Sequence, residues 1–284
     1  MNSRLKILIA CMALALTVTA FAQPVTYQRE DSVKICKLLQ AANKETTSLW
    51  FARQFLGVPY VAHTLEVNDN EQLVVNTRQL DCTTLVETVS ALTICASQGK
   101  KAWGDYLSTL LLLRYRQGKL DGYASRLHYF SDWIRDKQEM KMVTERQSPN
   151  PPFTAVQHVR VNYMSTHPTA YKALKAHPEL VPVIKQQEKD LSRVKARYIP
   201  KSALRRSTKA LRQAVHDGDI IAITCKKKGL DIAHLGFAVW QKDGLHLLNA
   251  SMIHKKVVEE PMTFYQYLQK HPSHTGIRVI KINK

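Results

Sequence analysis

The chain has 284 residues, of which 45% are hydrophobic and 23% charged, and 41 Lys and Arg against 23 Asp and Glu give a formal net charge of +18. The hydrophobic fraction excludes general disorder, and ten Gly with eleven Pro exclude collagen-like and low-complexity chains. Five Cys are too few for a disulfide scaffold. The length predicts one elaborated domain or two small ones.

The first 22 residues have the layout of a secretory signal peptide. Two basic residues precede an apolar run from 7 to 18, and Ala20-Phe21-Ala22 offers a cleavage site between small residues. A lipoprotein signal ending at Cys11 is a weaker interpretation, because the apolar run continues past that cysteine. We therefore predict a mature chain of residues 23–284, exported to the periplasm or secreted.

Charge and hydropathy also bear on partners. No other stretch approaches 18 consecutive apolar residues, so we predict no stable membrane insertion. Residues 191–216 carry eight Lys and Arg and no Asp or Glu, but only one aromatic residue and no nucleic-acid motif. A solvated basic face explains this stretch, and no nucleic-acid partner is predicted.

Helical patterns dominate the first part of the mature chain. Apolar spacing between residues 31 and 55 predicts one or two helices, and Gly57-Val58-Pro59-Tyr60 predicts a turn. An amphipathic helix follows Asp81 and ends near Gly99, with Thr84 and Glu87 spaced as in a capping box.

The stretch from 100 to 216 is the least regular. Apolar spacing predicts helices at 103–113, 129–142, 169–175 and 180–191, whereas three prolines within 148–152 predict a loop.

Strand patterns take over in the last part of the chain. Alternating or β-branched segments occur at 219–225, 232–241, 245–251, 256–259 and 276–282. Asp243-Gly244 lies between two of them and predicts a hairpin turn. Helices followed by an antiparallel sheet of about five strands indicate the α+β class.

Cys82 is the cysteine whose position suggests chemistry. It falls in the first turn of a predicted helix, where the helix dipole favours a thiolate and should lower the pKa of the thiol. Backbone N–H groups in that turn lack helical partners and could bind an oxyanion. Cys36, Cys95 and Cys225 fall within helical or strand patterns and are interpreted as structural.

A cysteine nucleophile needs a base, and His234 is the best candidate among eleven histidines. Most others lie beside prolines or in polar loops, whereas His234 lies in the apolar segment 232–239. A histidine there is either a core residue whose ring nitrogens are hydrogen-bonded or a functional group held in position for chemistry.

These residues resemble the ordered motifs of NlpC-type papain-like cell-wall peptidases. The matching segments, in chain order, are Gly57-x-Pro59-Tyr60, Asp81-Cys82, Gly218-Asp219, His234-Leu235-Gly236 and Asn249-Ala250-Ser251. Leu80-Asp81-Cys82-Thr83-Thr84, Asn162-Tyr163-Met164-Ser165-Thr166-His167-Pro168 and Gly229-Leu230-Asp231-Ile232-Ala233-His234 further resemble the exported N-acetylmuramoyl-L-alanine amidase-like branch. The resemblance spans most of residues 45–282.

The resemblance implies a papain-like α+β fold, with residues 23–284 as one catalytic domain. The stretch of about 100–216 would then be a large helical and loop insertion, because the family usually separates its Cys and His by far fewer residues. The implied roles are Cys82 as nucleophile, His234 as general base and Asn249 as the group that orients the imidazole. Tyr60, Asp81 and Thr83 would lie at the oxyanion or substrate site. Asn162 and Tyr163 would line it from the insertion, although ordinary loop positions explain them equally well.

The predicted hairpin raises a difficulty for Asn249. A two-residue turn at Asp243-Gly244 would pair Ala238 with Asn249, leaving Asn249 about 13 Å along the strands from His234. We expect a bulge or a different turn to shorten this distance, with Ser251 as the reserve orienting residue.

The implied activity is cysteine-dependent hydrolysis of the bond between N-acetylmuramic acid and L-alanine in peptidoglycan fragments, anhydro-muropeptides in particular. The alternatives are a γ-D-glutamyl-diamino acid endopeptidase of the same superfamily and a non-catalytic peptidoglycan-binding protein. No cofactor and no metal are needed. His271 and His274 have a ligand-like spacing, but a nearby proline and the lack of a carboxylate argue against a zinc site.

Overall fold

A computed structural model describes residues 23–284, so the signal-peptide and lipoprotein predictions lie outside the described residues. The helices are α1 (Arg29–Ala41), α2 (Ser48–Arg53), α3 (Cys82–Ser97), α4 (Trp103–Arg114), α5 (Phe130–Glu139), α6 (Tyr163–Thr166), α7 (Lys172–Ala176), α8 (Val181–Leu191), α9 (Lys209–Ala214) and α10 (Phe264–Gln269). The strands are β1 (Val25–Thr26), β2 (Leu73–Val74), β3 (Val143–Arg146), β4 (Ala155–His158), β5 (Lys195–Pro200), β6 (Ile220–Cys225), β7 (Ile232–Gln241), β8 (Gly244–Ser251), β9 (Lys256–Glu259) and β10 (His274–Ile282).

The main sheet has eight strands in the order β4-β5-β10-β6-β7-β8-β9, with β3 also paired to β10. Every pairing in it is antiparallel. The α+β class is therefore confirmed, and β6 to β10 match the five predicted strands. The expected count of about five is wrong, since β3, β4 and β5 come from the stretch 100–216. That stretch is accordingly not composed of helices and loops alone.

The largest buried core lies between α3 and one face of the sheet. Leu85 and Val89 of α3 and Leu235 and Phe237 of β7 are all buried in it. Because α3 lies against β7 through this apolar contact, the first residue of the helix is held beside the first part of the strand.

A separate apolar cluster belongs to the stretch 100–216. Its buried members are Tyr123, Tyr129, Val159, Val161, Met164, Leu174, Ile184 and Leu191. Part of this stretch therefore packs around a small core of its own, whereas α4 and α5 pack in the main core. No helix among residues 23–284 combines the length and apolarity that crossing a bilayer requires.

The start of α3 differs from the predicted capping box. Asp81 is the N-cap, and its Oδ1 accepts hydrogen bonds from the Thr84 backbone N–H and hydroxyl, each at 2.8 Å. Glu87 is instead buried in an ion pair with Arg114 at 2.7 Å. Asp81 is thus the N-cap residue, and Cys82 is the first residue of the helix, as predicted.

Candidate active site

Cys82 and His234 line the same cavity, of about 180 Å³. Both side chains are partly exposed. The remaining lining residues are Thr83, Leu127, His128, Tyr129, Phe130, Met164, Tyr171, Leu230, Asp231, Ile232, Ala233 and Leu235. Cys82 and His234, which are 152 positions apart in the sequence, thus meet at one cavity. The stretch 100–216 supplies six of the other lining residues.

The Cys82 thiol is predominantly protonated. Burial raises its pKa to about 12, with the nearby Asp81 carboxylate acting in the same direction. The Leu235 backbone and the Thr83 hydroxyl favour the thiolate but do not offset these effects. The expectation of a lowered pKa at the helix N-terminus is therefore wrong, because desolvation and a neighbouring negative charge outweigh the helix terminus.

The first turn of α3 offers free donors beside the thiol. Asp81 already satisfies the Thr84 N–H. Within residues 23–284 the backbone N–H groups of Cys82 and Thr83 donate to no other residue, and that of Cys82 faces its own sulfur. Such groups suit a developing oxyanion. The Asp81 carboxylate is occupied in capping, so it contributes to this arrangement by fixing the turn.

Tyr60 approaches from the Gly57-x-Pro59-Tyr60 turn, which is fixed to β9. The Gly57 N–H donates to the Val257 carbonyl at 2.9 Å and the Tyr60 N–H to the Lys255 carbonyl at 2.9 Å. Gly57 has a φ of +84°, a conformation that favours glycine. Burial raises the pKa of the Tyr60 phenol, as do the neighbouring Cys82 and Asp81. The turn thus brings Tyr60 close to the thiol.

His234 is held by Asn249. The imidazole Nε2 lies 2.8 Å from Asn249 Oδ1. An amide oxygen only accepts, so Nε2 carries the proton and donates it, which leaves Nδ1 as the acceptor of a neutral ring. Burial lowers the pKa of His234, although the bond to Asn249 and the charge of Glu260 oppose the shift. The neutral form is therefore favoured.

Glu260 fixes the orientation of the Asn249 amide. The Asn249 Nδ2 group donates to Glu260 Oε1 at 2.9 Å, and His254 Nε2 lies 3.2 Å from Glu260 Oε2. Because an ionised carboxylate only accepts, the amide nitrogen must face Glu260 and the amide oxygen must face His234. Asn249 and Glu260 are 0% and 2% exposed, so water does not compete for these bonds.

The hairpin register resolves the difficulty over Asn249. Gln241 pairs with Gly244 and Ala238 with Leu247, so the turn is Lys242-Asp243 and the predicted pairing of Ala238 with Asn249 is wrong. Continued by one residue past Phe237 and Leu248, this register places Asn249 opposite Gly236, about 6.6 Å along the strand from His234. No bulge is needed.

Ser251, the reserve candidate, has a different role. Its hydroxyl accepts a hydrogen bond from the His254 backbone N–H at 3.2 Å. It is Asn249, not Ser251, that contacts the imidazole. The reserve assignment is therefore wrong.

Asn162 and Tyr163 do not line the cavity with Cys82. Asn162 lies at a separate depression next to α8. The backbone N–H groups of both residues lie 3.3 Å from the Gly229 carbonyl. The segment instead holds the turn that precedes β7, while its neighbour Met164 reaches the cavity.

Two residues of the site had little signal in the sequence. Glu260 shares a sheet face with Val258, the partner of Asn249, so the alternation along β9 would have indicated it once the hairpin register was known. Asp231 occurs within a segment that resembles the amidase-like branch, but nothing in its sequence context marks it as a cavity residue. Among residues 23–284 no group of three or more His, Cys, Asp or Glu side chains is arranged to hold a metal ion.

A known protein family matches most of this chain. A model of the AmiA-like family, described as N-acetylmuramoyl-L-alanine amidase-like, matches residues 50–277. The chain belongs to this family.

The chain is also similar to several solved structures. An N-acetylmuramoyl-L-alanine amidase from Bacteroides uniformis is 38% identical with a TM-score of 0.78, over 84% of this chain and 99% of that one. A candidate xylanase from Bacteroides fragilis is 41% identical with a TM-score of 0.75, over 81% and 99%. A Legionella pneumophila protein, 22% identical with a TM-score of 0.68 over 90% and 95%, shares the fold. Among curated proteins, none matches the chain.

Proposed function

We propose that the chain is an exported, cysteine-dependent N-acetylmuramoyl-L-alanine amidase with the papain-like architecture of NlpC-type enzymes. Its substrates are peptidoglycan fragments, anhydro-muropeptides in particular. The observation that carries the proposal is the shared cavity of Cys82 and His234, in which His234 is bonded through Nε2 to Asn249 and keeps Nδ1 as a proton acceptor.

The reaction begins with proton transfer. The thiol is protonated and the imidazole neutral, so His234 acts as a general base when the substrate carbonyl is in place. The sulfur attacks the carbonyl carbon, and the N–H groups of Cys82 and Thr83 stabilise the oxyanion, with Tyr60 beside them. The imidazolium then donates its proton to the departing amine of L-alanine, and water hydrolyses the thioester.

The composition of the cavity favours this chemistry over glycoside hydrolysis, the activity named for the Bacteroides fragilis relative. Glycosidases generally use two carboxyl groups that flank the scissile bond. Asp231 is the one carboxylate among the cavity-lining residues of the described chain. A thiol, an imidazole and unpaired N–H groups suit acyl transfer instead.

The test is turnover of a purified anhydro-muropeptide by the mature chain, followed by mass spectrometry. We expect free anhydro-sugar and a stem peptide that begins with L-alanine. Iodoacetamide and Cys82→Ala should abolish the products, whereas Cys36→Ala, which removes another free and partly exposed thiol, should leave them unchanged.

Other outcomes would contradict the proposal. Cleavage between γ-D-glutamate and the diamino acid would establish the endopeptidase alternative. Binding without turnover would indicate a peptidoglycan-binding protein. Turnover that survives Cys82→Ala but not a chelator would indicate a metal enzyme.

A further inference from the structure

Asp231 is a buried carboxylate on the wall of the proposed catalytic cavity. It directly precedes β7, is 4% exposed and lines the cavity together with Cys82 and His234. Its Oδ2 accepts a hydrogen bond from the Ser131 backbone N–H at 2.7 Å. Within residues 23–284, Oδ1 has no hydrogen-bond partner, yet it is not sealed from the cavity.

Within residues 23–284, Asp231 forms no salt bridge. The guanidinium of Arg278 contacts its neighbour Ser131, donating to the Ser131 hydroxyl at 2.6 Å. Arg278 is already paired with Glu145 at 2.5 Å, and it forms no salt bridge with Asp231. Oδ2 accepts from the first turn of α5, but a buried acceptor without a hydrogen-bond partner is costly, so the open Oδ1 on a cavity wall calls for a donor from outside the chain.

The carboxylate is also fixed in place. The Asp231 carbonyl accepts a hydrogen bond from Gln157 Nε2 at 2.7 Å, and the preceding Gly229 is held by the Asn162 and Tyr163 backbone. The neighbouring cavity residues Leu230 and Ile232 are apolar, and the rest of the lining combines apolar side chains with the polar groups of Thr83, His128, Tyr129 and Tyr171. An open oxygen in such surroundings selects strongly for a charged N–H donor.

We propose that Asp231 Oδ1 binds a protonated primary amine of the substrate and so defines an ammonium subsite in the cavity that Cys82 and His234 line. The identity of the substrate rests on the function proposed above. On a peptidoglycan fragment two groups supply this chemistry. One is the side-chain amine of the diamino acid in the stem, and the other is the free α-amine of a stem that has lost its sugar.

The experiment measures binding without turnover. Isothermal titration calorimetry on Cys82→Ala compares a muropeptide, the same muropeptide with its amine acetylated, and a sugar-free stem peptide, each with and without Asp231→Asn. Asparagine keeps an acceptor for the Ser131 N–H, and thermal unfolding verifies that the fold is retained. Asp121→Asn, at an exposed position, is the control for loss of one negative charge.

We expect Asp231→Asn to weaken binding of the amine-bearing ligands about tenfold or more. It should leave the acetylated ligand unchanged, and Asp121→Asn should leave all three unchanged. An effect confined to the sugar-free stem assigns the subsite to the α-amine, and an effect on the intact muropeptide assigns it to the diamino acid. Equal loss for acetylated and free ligands, or no loss at all, overturns the proposal. Because binding is read without catalysis, failure of the amidase assay does not decide this result.

Discussion

His234 Nε2 lies 2.8 Å from Asn249 Oδ1, and the other side of the same amide donates to Glu260 Oε1 at 2.9 Å. The proposed base is thus oriented by an asparagine that is itself oriented by a buried carboxylate. We expect Asn249→Ala to lower kcat/KM by about 10²-fold, since the ring loses its fixed tautomer and direction. Steady-state kinetics on a muropeptide measure this. Ser251→Ala, which affects a neighbouring hydroxyl without contact to the ring, should change kcat/KM less than about threefold; equal losses in both variants would contradict the assignment.

Glu260→Gln tests the carboxylate behind Asn249. The charge of Glu260 raises the pKa of His234, so its removal should lower that pKa and move the acid limb of kcat/KM to lower pH. kcat should also fall, because a glutamine can donate as well as accept and no longer dictates which way the Asn249 amide faces. The matched control is Glu259→Gln, whose carboxylate pairs with Arg53 at the surface. An unshifted pH profile in Glu260→Gln would show that the residue is merely structural.

The wild-type pH profile follows from the state of His234. Burial holds its pKa below the usual 6.5, and a general base must be neutral to work. Activity should therefore be lost only as the pH falls through a midpoint below 6.5. A profile of kcat/KM between pH 4 and 8 measures the midpoint, and a value above 6.5 would be inconsistent with a buried neutral base.

Alkylation by iodoacetamide reports on the thiol directly. With a pKa of about 12 for Cys82, the thiolate fraction keeps rising throughout the alkaline range. The inactivation rate of the free enzyme should therefore increase steadily from pH 7 to 10. A plateau at neutral pH would reveal a preformed thiolate–imidazolium pair, and labelled peptides identified by mass spectrometry would verify that Cys82 is the modified residue.

Gly236 allows β7 and β8 to approach beside the proposed base. A Cβ at this position would lie 2.5 Å from the Leu248 carbonyl oxygen and 2.8 Å from Leu247 Cδ1. We expect Gly236→Ala to lower the free energy of unfolding by about 1–3 kcal/mol and to reduce activity by shifting the strand that carries His234. Gly104→Ala, where a Cβ meets nothing within 4 Å at the start of α4, is the control and should not destabilise. Chemical denaturation of both variants measures the difference.

Much of the fold followed from local patterns in the sequence. The apolar periodicity between residues 80 and 99 predicted α3, and alternation with turn residues predicted β6 to β10, because these elements bury one face against the core. The strands β3, β4 and β5 escaped prediction since they join the sheet through contacts with β10 and with each other that lie far away in sequence.

The placement of Cys82, His234 and Asn249 was predictable from the sequence, but the pKa of the thiol was not. The position of Cys82 at a helix start and the proximity of Asn249 to His234 agree with the sequence-based expectations. The direction of the Cys82 pKa shift was predicted wrongly, because desolvation of the thiol depends on packing that a local motif does not encode. The predicted hairpin register was also wrong. The two-residue turn lies one position earlier in the chain than predicted, and this shifts the cross-strand partner of every residue by two positions.

The two walls of the cavity have different structural origins. One carries the hydrogen-bond chain from His234 to Glu260 and is built from β7, β8 and the segment after β9. The other comes from residues 127–130, Met164 and Tyr171, of which Tyr129, Met164 and Tyr171 pack in the small separate cluster while Leu127 and Phe130 pack in the main core. If the proposed function holds, substitutions at Met164 and Tyr171 would alter which fragments are accepted and leave the hydrogen bonds from His234 to Glu260 intact, so specificity could diverge without loss of the chemistry.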